Sequence, residues 1–501
     1  MEKSIIIIGA GVAGLAAGCY GQMNGYRTQI FEMHDIPGGL CTAWERKGYI
    51  FDGCIHYLMG SGEGQPFNQV WQELGAWRGR NFIHHGEIVR VVDSVGKTLI
   101  AYCDPDQLET HMKERSPADA RLIEKFAQGI RQLTRFDMSL MQQKPRDLMK
   151  IWDWGELGLK MMPFVGSLVK WATISAQEFA AHFKDTFLQR AIPHIFGWPE
   201  IPVMAGMSVL AAMHTRNAGF PAGGSLEFAR SLERRYLQLG GQIQYKSQVE
   251  KILVEGNRAV GVRLYNDEEH RADYVVSAAD GKSTIFGLLG GEFINRKIKR
   301  IYDGSLPIHA QLQVSLGVER DLSTEPHWIT YLLDDPLIIA GEERFELGVK
   351  NYCFDPSLAP PGKSTVILIP RTNYSYWQHI YGHKLYDTEQ IQVSDAITGF
   401  LEKIYPGICG QMEVEDVATP VSYERYTSNW QGSSCGWLLT KQTMRMMIQG
   451  MSKTLPGLHN FYMAGQSVEP GGMVPICAMS GRNAIQLICD EDKQPFMTVT
   501  S

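Results

Sequence analysis

Residues 4–26 contain no charged side chain, and this stretch constrains the chain more than any other feature. Its length alone would suit a membrane span or a signal peptide. Its composition fits neither, because six of its residues are glycines, at positions 9, 11, 14, 18, 21 and 25. The β-branched run Ile5-Ile6-Ile7-Ile8 stops at Gly9, and Met1, Glu2 and Lys3 before it make no basic leader. A buried parallel strand passing into a helix accounts for both the run and the glycines.

The strand enters Gly9-Ala10-Gly11-Val12-Ala13-Gly14. In a G-x-G-x-x-G turn the first glycine makes the tight bend. The second admits a pyrophosphate to the backbone, and the third lets the helix pack close to the strand. The first helical residues, Val12 and Ala13 among them, then offer free N–H groups and a positive dipole end to phosphate. A second strand, Arg27-Thr28-Gln29-Ile30-Phe31, ends at Glu32, an acid placed to accept ribose hydroxyls and to repel a 2′-phosphate. Strand, turn, helix, strand and acid in this order predict a dinucleotide site.

Composition narrows the partners. With 48 Lys+Arg against 54 Asp+Glu, the net charge of −6 supplies no attraction for nucleic acid. A chain of 501 residues has room for two or three domains. Its nine cysteines include no Cys-x-x-Cys spacing, so neither a disulfide scaffold, a redox pair nor a metal site is expected. Reduced thiols in a cytoplasmic protein are the expectation.

Beyond Glu32 come Gly38-Gly39-Leu40-Cys41 and then Phe51-Asp52-Gly53-Cys54-Ile55-His56-Tyr57. Later stretches are Gly219-Phe220-Pro221-Ala222-Gly223-Gly224, Asp355 to Gly362, and Gly457 through Gly465 followed by Glu469-Pro470-Gly471-Gly472-Met473-Val474. Together they resemble the phytoene desaturase, carotenoid isomerase and retinol saturase group within the amine-oxidase-like FAD superfamily. The Gly-Gly-x-Cys and Ile-His-Tyr variants look closest to the saturase branch. Leu40 stands where the desaturase branch usually has Arg, and Gly53 follows Asp52 directly.

The resemblance implies FAD, an α/β Rossmann-like FAD-binding domain with a parallel sheet and small β-meander, and an α+β substrate domain. The FAD-binding domain is expected over 1–75, 216–299 and 456–492, and the substrate domain over 76–215 and 300–455. By the resemblance Gly38, Gly39 and Leu40 lie against the cofactor, Val249 lies by the adenine, and Ala279 ends a strand beneath the pyrophosphate. Gly465, Gly472, Met473 and Val474 close the flavin side. Short strands near 242–245, 249–254 and 259–264 read as the meander.

Adding hydrogen across C=C needs a positioned proton donor beside the redox group. His56 and Tyr57 are the candidates to give or orient that proton; His56 also counts among the cofactor contacts, and Glu469 is a second candidate acid. The substrate expected is a lipophilic polyene or isoprenoid, undergoing saturation, desaturation or isomerisation. An amine oxidase is the alternative, with Tyr374, Tyr376, Trp377 and Trp437 as a candidate aromatic cage. A non-catalytic FAD-binding partner is the second. No second nucleotide turn is visible, so transient NAD(P)H is one candidate donor, with quinone or oxygen as acceptors. The absence of G-x-S-x-G disfavours a hydrolase.

Two apolar segments have two readings each. Residues 147–172 carry Trp152, Trp154, Met162, Val165, Leu168, Val169 and Trp171. They form either a peripheral membrane contact or helices packed on the core. Met444, Met446, Met447 and Met451 line a tunnel or fill a core, with the core favoured.

Overall fold

The computed structural model describes residues 3–65, 67–136, 144–449, 451–469 and 471–500. Pro470 and the side chains of Leu168 and Met447 lie outside the described set. Five parallel strands form the first sheet: β1 (Ser4–Ile8), β2 (Arg27–Phe31), β3 (Gln242–Gln244), β4 (Tyr274–Ser277) and β5 (Phe461–Met463). Their order is β3-β2-β1-β4-β5, so β1 is central and Ile5 to Ile8 are all buried. A strand covered on both faces can carry no charge, which accounts for the first half of the charge-free stretch.

Helix α1 (Val12–Met23) accounts for the second half: every residue from Val12 to Gly21 is buried. Its glycines are steric openings. A Cβ on Gly14 would lie 1.9 Å from the Gly9 carbonyl oxygen. One on Gly18 would lie 2.7 Å from the ring of Tyr236 on α2 (Gly224–Gln238). On the remaining side α3 (Val474–Glu491) crosses α1 at Gly481, where a Cβ would lie 2.2 Å from the Ala13 carbonyl oxygen.

One strand sits elsewhere than its sequence suggested. Gln242–Gln244 joins the parallel sheet beside β2 and not the meander. The Tyr236 hydroxyl explains the placement: it lies 3.0 Å from the Thr28 carbonyl and 3.2 Å from that of Gln242, bridging β2 and β3. The meander consists of Val249–Glu255, Arg258–Leu264 and Glu269–Arg271.

A second sheet of seven strands runs in the order Met412–Ala418, Gln313–Val318, Ser364–Leu368, Glu342–Asn351, Trp328–Ile339, Glu87–Val92, Thr98–Tyr102. Its pairs are antiparallel except Trp328–Ile339 with Glu87–Val92. Helices Ala120–Leu133, Thr186–Ile195 and Val203–His214 share one apolar cluster with the Glu87–Val92 end of this sheet.

The two apolar segments part ways. Residues 147–172 form helices Ile151–Met161 and Val165–Ala172, joined by the turn Met162–Phe164. Ile151, Trp152, Leu159, Met162 and Val169 are 60–78% exposed, so packing on the core holds for Trp171 but not for them. Met444 is buried, and Met446 and Met451 pack on the cluster around Trp437, as the core reading expected. Among the described residues no helix is long and apolar enough to cross a membrane.

The α1–α3 crossing yields a paired prediction. Gly→Ala in an open helix adds about 1 kcal/mol of stability. At Gly158, whose Cβ would meet nothing within 4 Å, Gly158→Ala is therefore neutral or stabilising. At Gly481 the obstacle is backbone, which cannot swing aside, so Gly481→Ala costs about 1–3 kcal/mol. Urea unfolding midpoints of the two variants check the opposite signs.

Candidate functional site

In a parallel sheet ligands bind beyond the carboxyl ends of the strands. Here that edge gathers residues distant in sequence. Gly9 makes its bend at φ +95°, and its N–H donates to the Phe31 carbonyl at 2.8 Å. Gly11 is the N-cap of α1, and no side chain caps this helix end. The first turn holds no acid, so the N–H groups of Val12, Ala13 and Gly14 present an uncompensated positive end. The Gly38 N–H donates to the Ala10 carbonyl at 2.9 Å, laying Gly38-Gly39-Leu40 against the first turn.

Glu32, buried at the end of β2, accepts the N–H of Ala10 at 2.6 Å and that of His34 at 2.8 Å. Two backbone bonds hold the carboxylate at the edge and leave it lone pairs for hydroxyl donors. A Cβ on Gly9 would be 3.7 Å from the Ala279 nitrogen, and one on Gly465 would be 3.5 Å from the Ala13 Cβ. Both strand ends thus abut the turn. Val249 is buried with Phe31 and Ile8, and nearby the Ser247 N–H donates to the Glu32 carbonyl at 2.8 Å. Gly472 wedges against Cys435, where a Cβ would lie 2.5 Å from the carbonyl oxygen. Met473 is the N-cap of α3, and Val474 its first residue. An open glycine backbone, an uncapped helix start and a strand-end acid fit a dinucleotide's pyrophosphate and ribose.

Asp52 has a structural task. Its carboxylate accepts the Cys54 N–H at 3.1 Å, the Ser225 hydroxyl at 2.7 Å and the Ser225 N–H at 2.5 Å. The Ser225 hydroxyl oxygen in turn accepts the Ile55 N–H at 2.7 Å. This network fixes the segment that carries His56 and Tyr57. Both line a narrow cavity of ≈ 20 Å³ together with His85, His327, Trp328 and Lys350.

The cavity is cationic only in composition. Burial, then Lys350 and the neighbouring histidines, hold His56 well below the usual imidazole range. Burial lowers His327 likewise and takes His85, whose ring stacks on His327 at 3.7 Å, to about 4. Lys350 is buried, with Nζ 3.9 Å from the ring centre of Trp328, its cross-strand partner. Burial also pushes its ammonium well below the ordinary lysine range. Tyr57 moves the opposite way: burial raises its phenol to about 12. At neutral pH His56 is therefore an uncharged ring, and its Nδ1 is buried with no partner among the described residues. Tyr57 keeps its proton.

Glu469 forms a largely buried ion pair with Lys453, which occupies the carboxylate proposed as a second acid, and the expected aromatic cage fails. The four cage aromatics do not converge. Trp377 and Tyr376 belong to the cluster under the seven-stranded sheet, and the Tyr374 hydroxyl donates to Glu424. Trp437 packs on Tyr302 in another cluster. His85, His327, Trp328 and Lys350 were missed because they come from two loops and two strands that only the sheet pairing unites.

A larger cavity of ≈ 290 Å³ lies between helices Ala120–Leu133 and Val203–His214 and the start of α3. Met59, Leu133, Phe136, Ala211, Met473 and Ile476 line its apolar part, and Arg135 and Asn217 are among its polar groups.

Sheet, turn and acid together define a dinucleotide-binding oxidoreductase fold. Comparison with known proteins makes this particular. A family model for flavin containing amine oxidoreductases matches residues 12–489. The chain belongs to that family. It is 25% identical to a chloroplastic prolycopene isomerase of Daucus carota over 499 residues, 96% of this chain and 79% of the relative. A lycopene-forming phytoene desaturase of Pseudescherichia vulneris is 25% identical over 538 residues, 98% and 99% of the two chains. An all-trans-retinol 13,14-reductase of Danio rerio is 22% identical over 526 residues, 97% and 85% of the two. A solved oxidoreductase from Methanosarcina mazei shares the fold with a TM-score of 0.58 at 18% identity, covering 96% of this chain and 100% of its own.

The open face at Gly11 gives a direct test. A Cβ there meets only the Gly38 carbonyl, at 3.8 Å, so the fold tolerates a side chain that the pyrophosphate would not. Gly11→Val is expected to purify folded and colourless. Circular dichroism and the visible flavin spectrum, read together, check this.

Proposed function

We propose that this chain is an FAD-dependent oxidoreductase acting on C=C or C–C bonds of a lipophilic polyene or isoprenoid, by saturation, desaturation or isomerisation. The observation that carries the reading is the ≈ 290 Å³ cavity, walled on one side by Met59, Leu133, Phe136, Ala211 and Ile476, that reaches Met473 at the start of α3, the element expected beside the flavin. That apolar wall suits a hydrocarbon, and the four aromatics expected as an amine cage do not converge. The relatives' names support the same substrate class.

The residues proposed to hold FAD are Gly9, Gly11, Val12, Ala13, Gly14 and Gly38 to Leu40 at the pyrophosphate. Glu32 takes the ribose and Val249 the adenine side. Ala279, Gly465, Gly472, Met473 and Val474 lie along the remainder. Bound flavin supplies the two-electron chemistry. The chain's own residues manage the proton. Tyr57, protonated at neutral pH, is the proposed donor, and neutral His56 beside it orients the transfer through its unpaired Nδ1. NAD(P)H bound transiently, or another reduced carrier, is the proposed source of electrons for saturation.

The exposed apolar face of residues 151–169, flanked by Lys150, Lys160 and Lys170, supports docking to a lipid surface from which such a substrate would be drawn. Sedimentation with phosphatidylcholine–phosphatidylglycerol vesicles is expected to carry down the protein, and Trp152→Asp with Leu159→Asp to leave it in the supernatant. Equal sedimentation of both removes this contact.

The function is tested by reducing the flavin anaerobically with NADH, NADPH or dithionite, then adding retinoid, carotenoid and amine panels. Reoxidation by a polyene supports the reading; peroxide release with amines alone overturns it. His56→Ala is expected to keep its flavin and lose at least about tenfold in turnover, and Tyr57→Phe to lose more. Unchanged turnover removes either residue from the chemistry.

A further inference from the structure

Cys41 and Cys54 are far apart for a redox motif along the chain, yet a hairpin brings them face to face. Its strands, Ala43–Arg46 and Tyr49–Asp52, pair Arg46 with Tyr49, Glu45 with Ile50, Trp44 with Phe51 and Ala43 with Asp52. The Gly53 N–H donates to the Thr42 carbonyl at 3.0 Å, which continues the same register one step further. The next opposed pair is Cys41 and Cys54. Directly opposed residues in an antiparallel ladder have Cα atoms about 4.5–5.5 Å apart, inside the span that a disulfide bridges. Ser225 holds both sides of the pair in place. Its carbonyl accepts the Cys41 thiol at 3.5 Å, and its hydroxyl oxygen accepts the N–H of Ile55, the residue after Cys54.

We propose that Cys41 and Cys54 are a reversible dithiol–disulfide couple, a two-electron redox site that exchanges with small-molecule disulfides and dithiols. Cys54 is the less buried of the two residues and is assigned the attacking sulfur; Cys41 is buried and resolves. The Cys54 thiolate attacks one sulfur of a reagent disulfide and expels the first reagent thiol. The Cys41 thiolate then attacks the Cys54 sulfur of that mixed disulfide and expels the second. Two protein thiols are oxidised, one reagent disulfide is reduced, and the two protons end on the two expelled reagent thiols.

The bridge would tie the base of the hairpin to the loop that begins at Gly38, whose carbonyl accepts the Cys41 N–H at 3.0 Å. Redox state would then be written into the segment laid against the glycine turn. Contact with the Cys41 thiol, then burial, keeps the Cys54 thiol well above its ordinary range, so exchange is slow at neutral pH and quickens in alkali. The couple does not depend on the substrate class proposed above.

The test treats the native flavin-loaded protein with glutathione disulfide between pH 7 and 9, traps free thiols by alkylation, and maps peptides without reduction. A Cys41–Cys54 linked peptide that dithiothreitol reverses is expected, forming about tenfold faster per pH unit. Cys54→Ser abolishes it and leaves Cys41 singly alkylated or glutathionylated; Cys41→Ser, if it folds, stops at the mixed disulfide on Cys54. Separate alkylation of both cysteines in folded wild type, or pairing of either with a different cysteine, overturns the proposal.

Discussion

The contact on which the rest depends is the one between the Gly14 α-carbon and the Gly9 carbonyl. No side chain fits there, since a Cβ would stand 1.9 Å from the oxygen. That closeness draws the start of α1 tight under the carboxyl end of β1, and with it the uncapped N–H groups of Val12 and Ala13. Gly18 admits Tyr236 on one flank, and Gly481 admits α3 on another. Three helices and a strand are thus locked by absent side chains. The van der Waals gain spreads over many small contacts, while any added methyl falls on backbone that cannot yield.

Much of this was legible beforehand, because the glycine spacing, the strand-end acid and the apolar run each obey a local rule. The strand–turn–helix–strand unit that ends at Glu32 followed from residues close along the chain. What was illegible came from distant pairing. Gln242–Gln244 looks like its neighbours in the meander, and only the Tyr236 hydroxyl assigns it to β2. Lys350 meets Trp328 only because their strands pair, and His85 meets His327 across a boundary between segments. Glu469 was read as an acid since nothing near it in sequence announces Lys453 as its partner.

The small cavity shows how burial outweighs formal charge. Three histidines and a lysine are four groups that can each carry a positive charge. Here burial, the largest influence on each, drives all four toward their neutral forms. The Asp52 carboxylate acts on Lys350 in the charged direction, but less strongly, its oxygens being already committed to Ser225 and Cys54. The result is a small pocket that is polar but weakly charged, where hydrogen-bonding groups face inward without carrying hydrated ions.

The threading of the parallel sheet has a consequence for the chain's birth. β1 and β2 are made first, β3 and β4 near the middle, and β5 last, at Phe461–Met463. At ribosomal speeds of about 5–20 residues per second, β1 waits roughly 20–90 s for the last strand of its sheet to be synthesised. During that interval Ile5 to Ile8 and the bare glycine face of α1 lack α3 and the outer edge of their sheet. The seven-stranded sheet, complete once Ala418 has emerged, can assemble before its partner does. The charge-free strand and helix are therefore made well before the segments that seal them, so the growing chain exposes apolar surface that the finished fold hides.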